Sequence, residues 1–408
     1  MKSKVVFVLI IVLYIPFIIW SQYALQSNLS NNVGIFRTIT SYFNLIIDGV
    51  ILVWLGTNKS RVKNTSRLMS LIVLWTVLIV IQCFFTATSI ERLSKNLVYV
   101  TFWSLNALFV YRIVKDRYIE RDIVVKRYIF LYFVSLACFI FMYYMKLSVY
   151  GGLSTTSMNH SYFLLCQMPW LFLIKKKKLR LILIVSCLVA IIFSLKRTSL
   201  ICVALVGLLY IHSMVSKYSV FFRIVLFAML ALFAFYGTMF IDKHYLGGGM
   251  VTRIEQSEED DMGSRPVIWA AVYKKYSESS LTQMLFGHGH DTVYYDCGIG
   301  VSAHSEYFET LYDYGIIMLC LLFVIVFVLI RNTLWLYKRK SRLALPFASS
   351  VIIYLVLSIS SHLLLYPQYF AFLAAFWGYI ESVKYKSFHT IEDDNVSNKV
   401  KSFEVCCK

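Results

Sequence analysis

Three groups of residues in this chain of 408 have the types and spacing to do chemistry. Lys196 and Arg197 are adjacent in Ser194-Leu195-Lys196-Arg197-Thr198-Ser199. Arg265 and Trp269 lie in Gly263-Ser264-Arg265-Pro266-Val267-Ile268-Trp269. His304 and Glu306 follow in Ala303-His304-Ser305-Glu306. An arginine presents a planar fork that suits two phosphate oxygens, and it never loses its charge. Two arginines at one membrane face could therefore hold a diphosphate. A histidine titrates near neutrality and could take a proton from a hydroxyl nucleophile, a step worth roughly 10²–10⁴-fold in rate. Bland readings stand beside these. Lys196 and Arg197 could be long cationic chains reaching lipid headgroups, and an interfacial histidine could be a plain polar contact.

Other polar clusters carry weaker signals. Glu255, Glu258, Glu259, Asp260 and Asp261 form an acidic patch without metal-ligand spacing, which reads as a solvated loop. His288 and His290 flank Gly289, but two histidines one residue apart are thin grounds for a metal. Gly287 and Gly289 read as a tight turn with φ above zero. Asp48 lies inside an apolar run, where a carboxylate is expensive. Arg37 is about 16 Å away along a helix at 1.5 Å per residue, so a partner on another helix is expected. Asn159-His160 could line a cavity or cap a helix. There is no P-loop and no Gly-rich dinucleotide turn, which excludes nucleotide sites of those kinds.

The elements that must position these groups are membrane helices. The chain is 59% hydrophobic and 15% charged, against about 45–50% and about 25% in soluble domains. The excess lies in continuous runs of the ~20 residues that cross a bilayer. Continuous runs, not alternation, exclude a barrel. The expected fold is all-α and polytopic, with about twelve spans. Residues 1–241 form spans one to nine and 242–309 a long extracytoplasmic loop that carries the chemistry. Residues 310–383 form spans ten to twelve, and 384–408 a cytoplasmic tail. Met1-Lys2-Ser3-Lys4 and the run Val5–Trp20 read as a retained signal anchor, since the run is long and lacks a small-residue cleavage site.

The net charge of +18 does not indicate nucleic acid, because its distribution is that of an oriented membrane protein. With the N-terminus inside, the inside segments hold 29 of the 40 Lys and Arg, including Lys175-Lys176-Lys177-Lys178. The segments 23–35 and 147–157 hold none. This bias places both termini in the cytoplasm and the long loop outside. Cys83, Cys138, Cys166, Cys187, Cys202 and Cys320 fall in apolar runs and read as small core residues. Cys297 is alone in the loop, so no disulfide is expected there.

The three blocks, in this order and spacing, resemble the O-antigen polymerase and O-antigen ligase family of bacterial membrane proteins. Leu285-Phe286-Gly287-His288-Gly289 follows the second block, and the third runs on through Tyr314-Gly315-Ile316-Ile317. The resemblance covers roughly residues 194–320. It implies a membrane glycosyltransferase of the inner membrane whose donor is an undecaprenyl-diphosphate-linked glycan, with inversion and without a metal or other cofactor. Arg197 and Arg265 would grip the diphosphate, and His304 would activate or position the acceptor hydroxyl. Lys196 and Glu306 depart from the family pattern. They join Trp269, Gly287 and Gly289 as expected substrate-binding residues. Polymerisation of repeat units into O-antigen, capsule or exopolysaccharide is the expected reaction. Ligation to lipid A core is the alternative, and a lipid-linked oligosaccharide flippase is a second one. The resemblance also implies a chain-length regulator protein among the partners.

Overall fold

The computed structural model describes residues 3–25, 33–58, 65–86, 90–150, 158–215, 265–298 and 300–384, with single positions at 219, 236, 240 and 243. The acidic patch 255–261, most of expected span nine, Gly263-Ser264 and the tail beyond 384 lie outside the described residues.

All regular structure among the described residues is helical. The helices are α1 (Ser3–Ala24), α2 (Val33–Thr57), α3 (Arg67–Thr86), α4 (Ile90–Lys115), α5 (Arg121–Tyr150), α6 (Ser161–Leu171), α7 (Lys177–Phe193) and α8 (Arg197–Val215). After these come α9 (Arg265–Ser277), α10 (Leu281–Phe286), α11 (Val293–Asp296), α12 (Glu306–Lys338), α13 (Ala344–Ser360) and α14 (367–384). Among the described residues, six are long and apolar enough to cross a membrane: Ser3–Ala24, Ile35–Thr57, Arg67–Thr86, Asn96–Lys115, Arg121–Ser148 and Glu306–Lys338. Arg197–Ser213 and Ala344–Ser360 are apolar but shorter. The chain is a polytopic helical membrane protein, and the count of twelve stays an expectation.

Side-chain size decides how these helices meet. α1 packs on α2 and α5, α4 on α2 and α3, and α12 on α3 and α13. α14 is enclosed: Tyr369, Phe370, Phe372, Phe376 and Trp377 are all buried. Its Gly378 lets α14 touch α4, since a Cβ there would lie 2.1 Å from the Ala107 carbonyl oxygen. Asp48 is buried and accepts a hydrogen bond from Thr101 Oγ1 on α4 at 2.9 Å. The expected partner on another helix is thus a threonine. Cys320, expected in the core, is exposed on α12, while Cys83, Cys166, Cys187 and Cys202 are buried.

The described part of the expected long loop is folded. Its helices α9, α10 and α11 pack against α12. Ile268, Val272, Val293, Ala303 and Tyr312 form a separate small core, flanked by Trp269 and Phe308. Ser280 starts α10 with a capping box: its side chain accepts from the Gln283 N–H, and Gln283 Oε1 accepts from the Ser280 N–H. That arrangement satisfies two orphan donors at once.

α12 breaks at Gly315, where φ is +79° and ψ is 174°. Gly287 ends α10 at φ +79° directly beside this break. A Cβ on Gly287 would lie 2.3 Å from the Asp313 carbonyl oxygen, and one on Gly315 would lie 2.3 Å from that of Leu285. Two glycines are required because two backbones touch there.

Candidate active site

The site is built around the segment that enters α12. His304 has φ +50°, a left-handed value that costs a non-glycine residue on the order of 1 kcal/mol. The conformation persists because its neighbours are pinned. The Ala303 carbonyl accepts from Trp269 Nε1 at 2.9 Å, and the Ala303 N–H donates to Glu309 Oε2 at 2.7 Å. Trp269 in turn stacks on Phe308, with ring centroids 5.3 Å apart. Two residues beyond His304, the buried Glu306 carboxylate accepts from the N–H groups of Leu363 and Leu364. Those residues follow His362, whose ring stacks on His304 at 5.2 Å and 24°.

Trp269 and Glu306, expected to touch substrate, are therefore engaged with protein backbone. Trp269 fixes the chain before His304. Glu306 is 1% exposed and ties that chain to the 361–366 segment. Gly287 and Gly289 also act on backbone. The Gly289 N–H donates to the Asp313 carbonyl at 2.8 Å. The Asp313 carboxylate accepts from the N–H groups of Asp291, Thr292 and Val293 at 2.7, 3.1 and 3.3 Å. This holds the turn that carries His290 and Asp291. His288 stacks on Tyr312, with centroids 4.1 Å apart, and pairs with Ser279 Oγ.

The cations come from two helix starts. Arg265 opens α9 and donates from Nη2 to the Ser360 carbonyl at 3.2 Å, at the end of α13. Arg197 opens α8 and is exposed. The turn before it is set by Leu195 at φ +53° and by the Met158 N–H donating to the Ser194 carbonyl at 2.8 Å. Lys196 Nζ lies over the Tyr162 ring, 5.4 Å from its centroid. Burial lowers the pKa of Arg265, and the nearby Arg197 lowers it further. Burial also pushes His304 below the usual imidazole range, with Arg265 and then Lys196 adding to the effect. These effects favour the neutral imidazole, the form in which a histidine can accept a proton. Lys196, Arg197, Arg265 and His304 thus form one electrostatically linked group.

His304 also lines a cavity of about 760 Å³, whose wall includes Arg37, Tyr99, Asn159, His290, His362, Tyr366 and Gln368. Asn159 faces this cavity, while His160 is buried with Nε2 against the Gln22 carbonyl at 2.8 Å. His362, Tyr366 and Gln368 were hidden from sequence reasoning inside the junction of two apolar runs. The polar triplet Ser360-Ser361-His362, with Pro367 five residues on, marked the break. Among the described residues, no group of three or more His, Cys, Asp or Glu is placed to hold a metal ion.

The arrangement thus brings cations and an imidazole together at one end of the helices. Residues 181–323 match the family model described as O-antigen ligase. That stretch is about a third of the chain and holds all three sequence blocks. No curated protein matches the chain.

Proposed function

We propose that the protein polymerises undecaprenyl-diphosphate-linked oligosaccharide repeat units at the outer face of the cytoplasmic membrane. The observation that carries this reading is His304, which lines the cavity and whose imidazole is kept toward its neutral form by burial, Arg265 and Lys196. Arg197 and Arg265 hold the donor diphosphate. The acceptor hydroxyl gives its proton to His304. Its oxygen attacks the anomeric carbon from the face opposite the leaving group, so the configuration inverts. The anomeric C–O bond breaks, and its electron pair leaves on the diphosphate. A diphosphate leaves readily, so no general acid is needed. What must be stabilised is the negative charge growing on it, and preorganised cations in a partly dry site do this well. Placement of the hydroxyl supplies the rest.

A ligase would use the same donor and differ in its acceptor. The flippase reading has no support from the family match. The test is a gel of surface and lipid-linked glycans from a strain lacking the protein. Loss of the ladder with a single repeat unit remaining is the expected result. Long chains accumulating on the lipid carrier, with bare lipid A core, would make the protein a ligase. Unpolymerised units confined to the cytoplasmic side would return the flippase reading.

A further inference from the structure

We infer that the cavity beside His304 is a subsite for the acceptor saccharide, in which His362 and Gln368 recognise sugar hydroxyls. This deepens the polymerase reading and rests on it. Lys196, Arg197 and Arg265 do not line the cavity, whereas His304 does. The histidine therefore borders a compartment that excludes those three cations, although Arg37 and Asp291 stand on its wall. At about 760 Å³ the compartment falls within the roughly 300–1,000 Å³ of small-molecule sites.

Two residues of its wall carry orphaned polar atoms. His362 is 3% exposed and Gln368 is 7% exposed. His362 Nδ1 and Gln368 Oε1 are buried without a hydrogen-bond partner among the described residues. Buried polar atoms are paired in nearly all native structures, and each exception calls for an explanation. On two residues of one cavity wall, they fit a ligand rich in hydroxyls that either side chain meets by turning toward the cavity. A hydroxyl can donate to Gln368 Oε1 and can donate to or accept from His362 Nδ1, according to its tautomer. Between them Tyr366 is only partly buried and stacks on His362, with centroids 5.1 Å apart. It also stacks on Tyr369, with centroids 6.0 Å apart, so it braces the wall on which His362 sits. The orientation is fixed: Glu306 holds the backbone just after His362, and the same carboxylate lies two residues from His304. A sugar bound on His362 and Gln368 is thus indexed to the base.

The experiment uses the full-length protein in lipid nanodiscs, with His362→Phe and Gln368→Leu. These variants keep side-chain bulk and remove the hydrogen-bonding atom. Binding of the lipid-free repeat-unit oligosaccharide is measured by calorimetry. Each variant is expected to weaken binding about tenfold, the worth of one hydrogen bond. In turnover, the KM for that oligosaccharide as acceptor rises by a similar factor, while the KM for the lipid-linked donor stays within about twofold of wild type. Unchanged oligosaccharide affinity in both variants overturns the inference, as does a shift in donor KM instead. His362→Gln and Gln368→Glu, which restore hydrogen-bonding groups, recover affinity if recognition is the cause. Should they stay as weak as the apolar variants, the effect is structural and the inference fails. Saccharide binding that depends on both residues, without polymer formation, would overturn the polymerase reading and leave this subsite standing. Polymer formation with saccharide affinity unaltered in the variants would do the reverse.

Discussion

In the proposed reaction Arg265 is the residue on which the chemistry depends most. It is half-buried, anchored to Ser360 and electrostatically linked to both Arg197 and His304. Arg265→Ala is expected to abolish polymer formation while the protein still inserts and accumulates, read by immunoblot beside a glycan gel. Arg265→Lys keeps the charge but loses the fork, so activity should fall at least tenfold. The pH dependence follows from His304. Its pKa lies below the ordinary value near 6.5, so activity holds at neutrality and fails as pH falls through that lowered pKa. Lys196→Met removes a cation that disfavours the imidazolium, so the acid limb of the rate profile should move to higher pH. A limb that stays in place or moves down contradicts the assigned coupling. Stability carries the same sign: the unfolded chain takes up this proton first, so His304's contribution declines as pH drops below about 6.5. That these cations and this histidine lie near one another was legible because each stands in a polar block of distinct spacing; their roles remain part of the proposal. The roles of Trp269 and Glu306 were not legible, because a residue that grips backbone looks in sequence like one that grips substrate.

Among the elements, the contact between α10 and the break in α12 determines where the site's loops sit. Gly287 and Gly315 both have φ +79° and face each other's backbone. Gly315→Ala should destabilise the protein by about 2–4 kcal/mol through strain and overlap, and thermal unfolding in detergent measures this. Glu306→Ala strips acceptors from two buried N–H groups, a loss of about 1–3 kcal/mol. It should also lower activity more than accumulation, because the segments of His304 and His362 come apart. Expected spans and observed helices agree wherever an apolar run is long and uninterrupted, as in α1, α3 and α12. They diverge at residues 265–309, which look like a loop because α9 to α11 are short and lack a long apolar run. Their fold depends on a core of five residues contributed from distant positions, and a local pattern cannot reveal that. The junction 361–366 was concealed for the opposite reason: Leu363, Leu364 and Leu365 let an apolar run continue through a segment that is not helical.

Over the whole molecule, the site gathers at one end of the bundle, from the end of α1 and the starts of α2, α6, α8, α9, α12 and α14. The opposite end carries the basic segments, such as Lys175, which pairs with Asp122, and Lys384, which pairs with Glu381. Charge bias reads that basic end as cytoplasmic. Cysteine labelling tests this in a background without native cysteines. Glu278→Cys is expected to react with a membrane-impermeant thiol reagent in intact cells, and Lys177→Cys only after permeabilisation. The reverse pattern would move the site to the cytoplasm and exclude an outer-face polymerase. The central claim is that this one chain transfers a lipid-linked glycan onto a sugar hydroxyl using Arg265 and His304. The most direct measurement reconstitutes the pure protein in liposomes with undecaprenyl-diphosphate-linked repeat units. Lengthened glycans and free undecaprenyl diphosphate are then followed together. The account predicts that both form in step with wild-type protein, and that both are lost with Arg265→Ala and with His304→Ala. Lengthening that persists undiminished in either variant would contradict it.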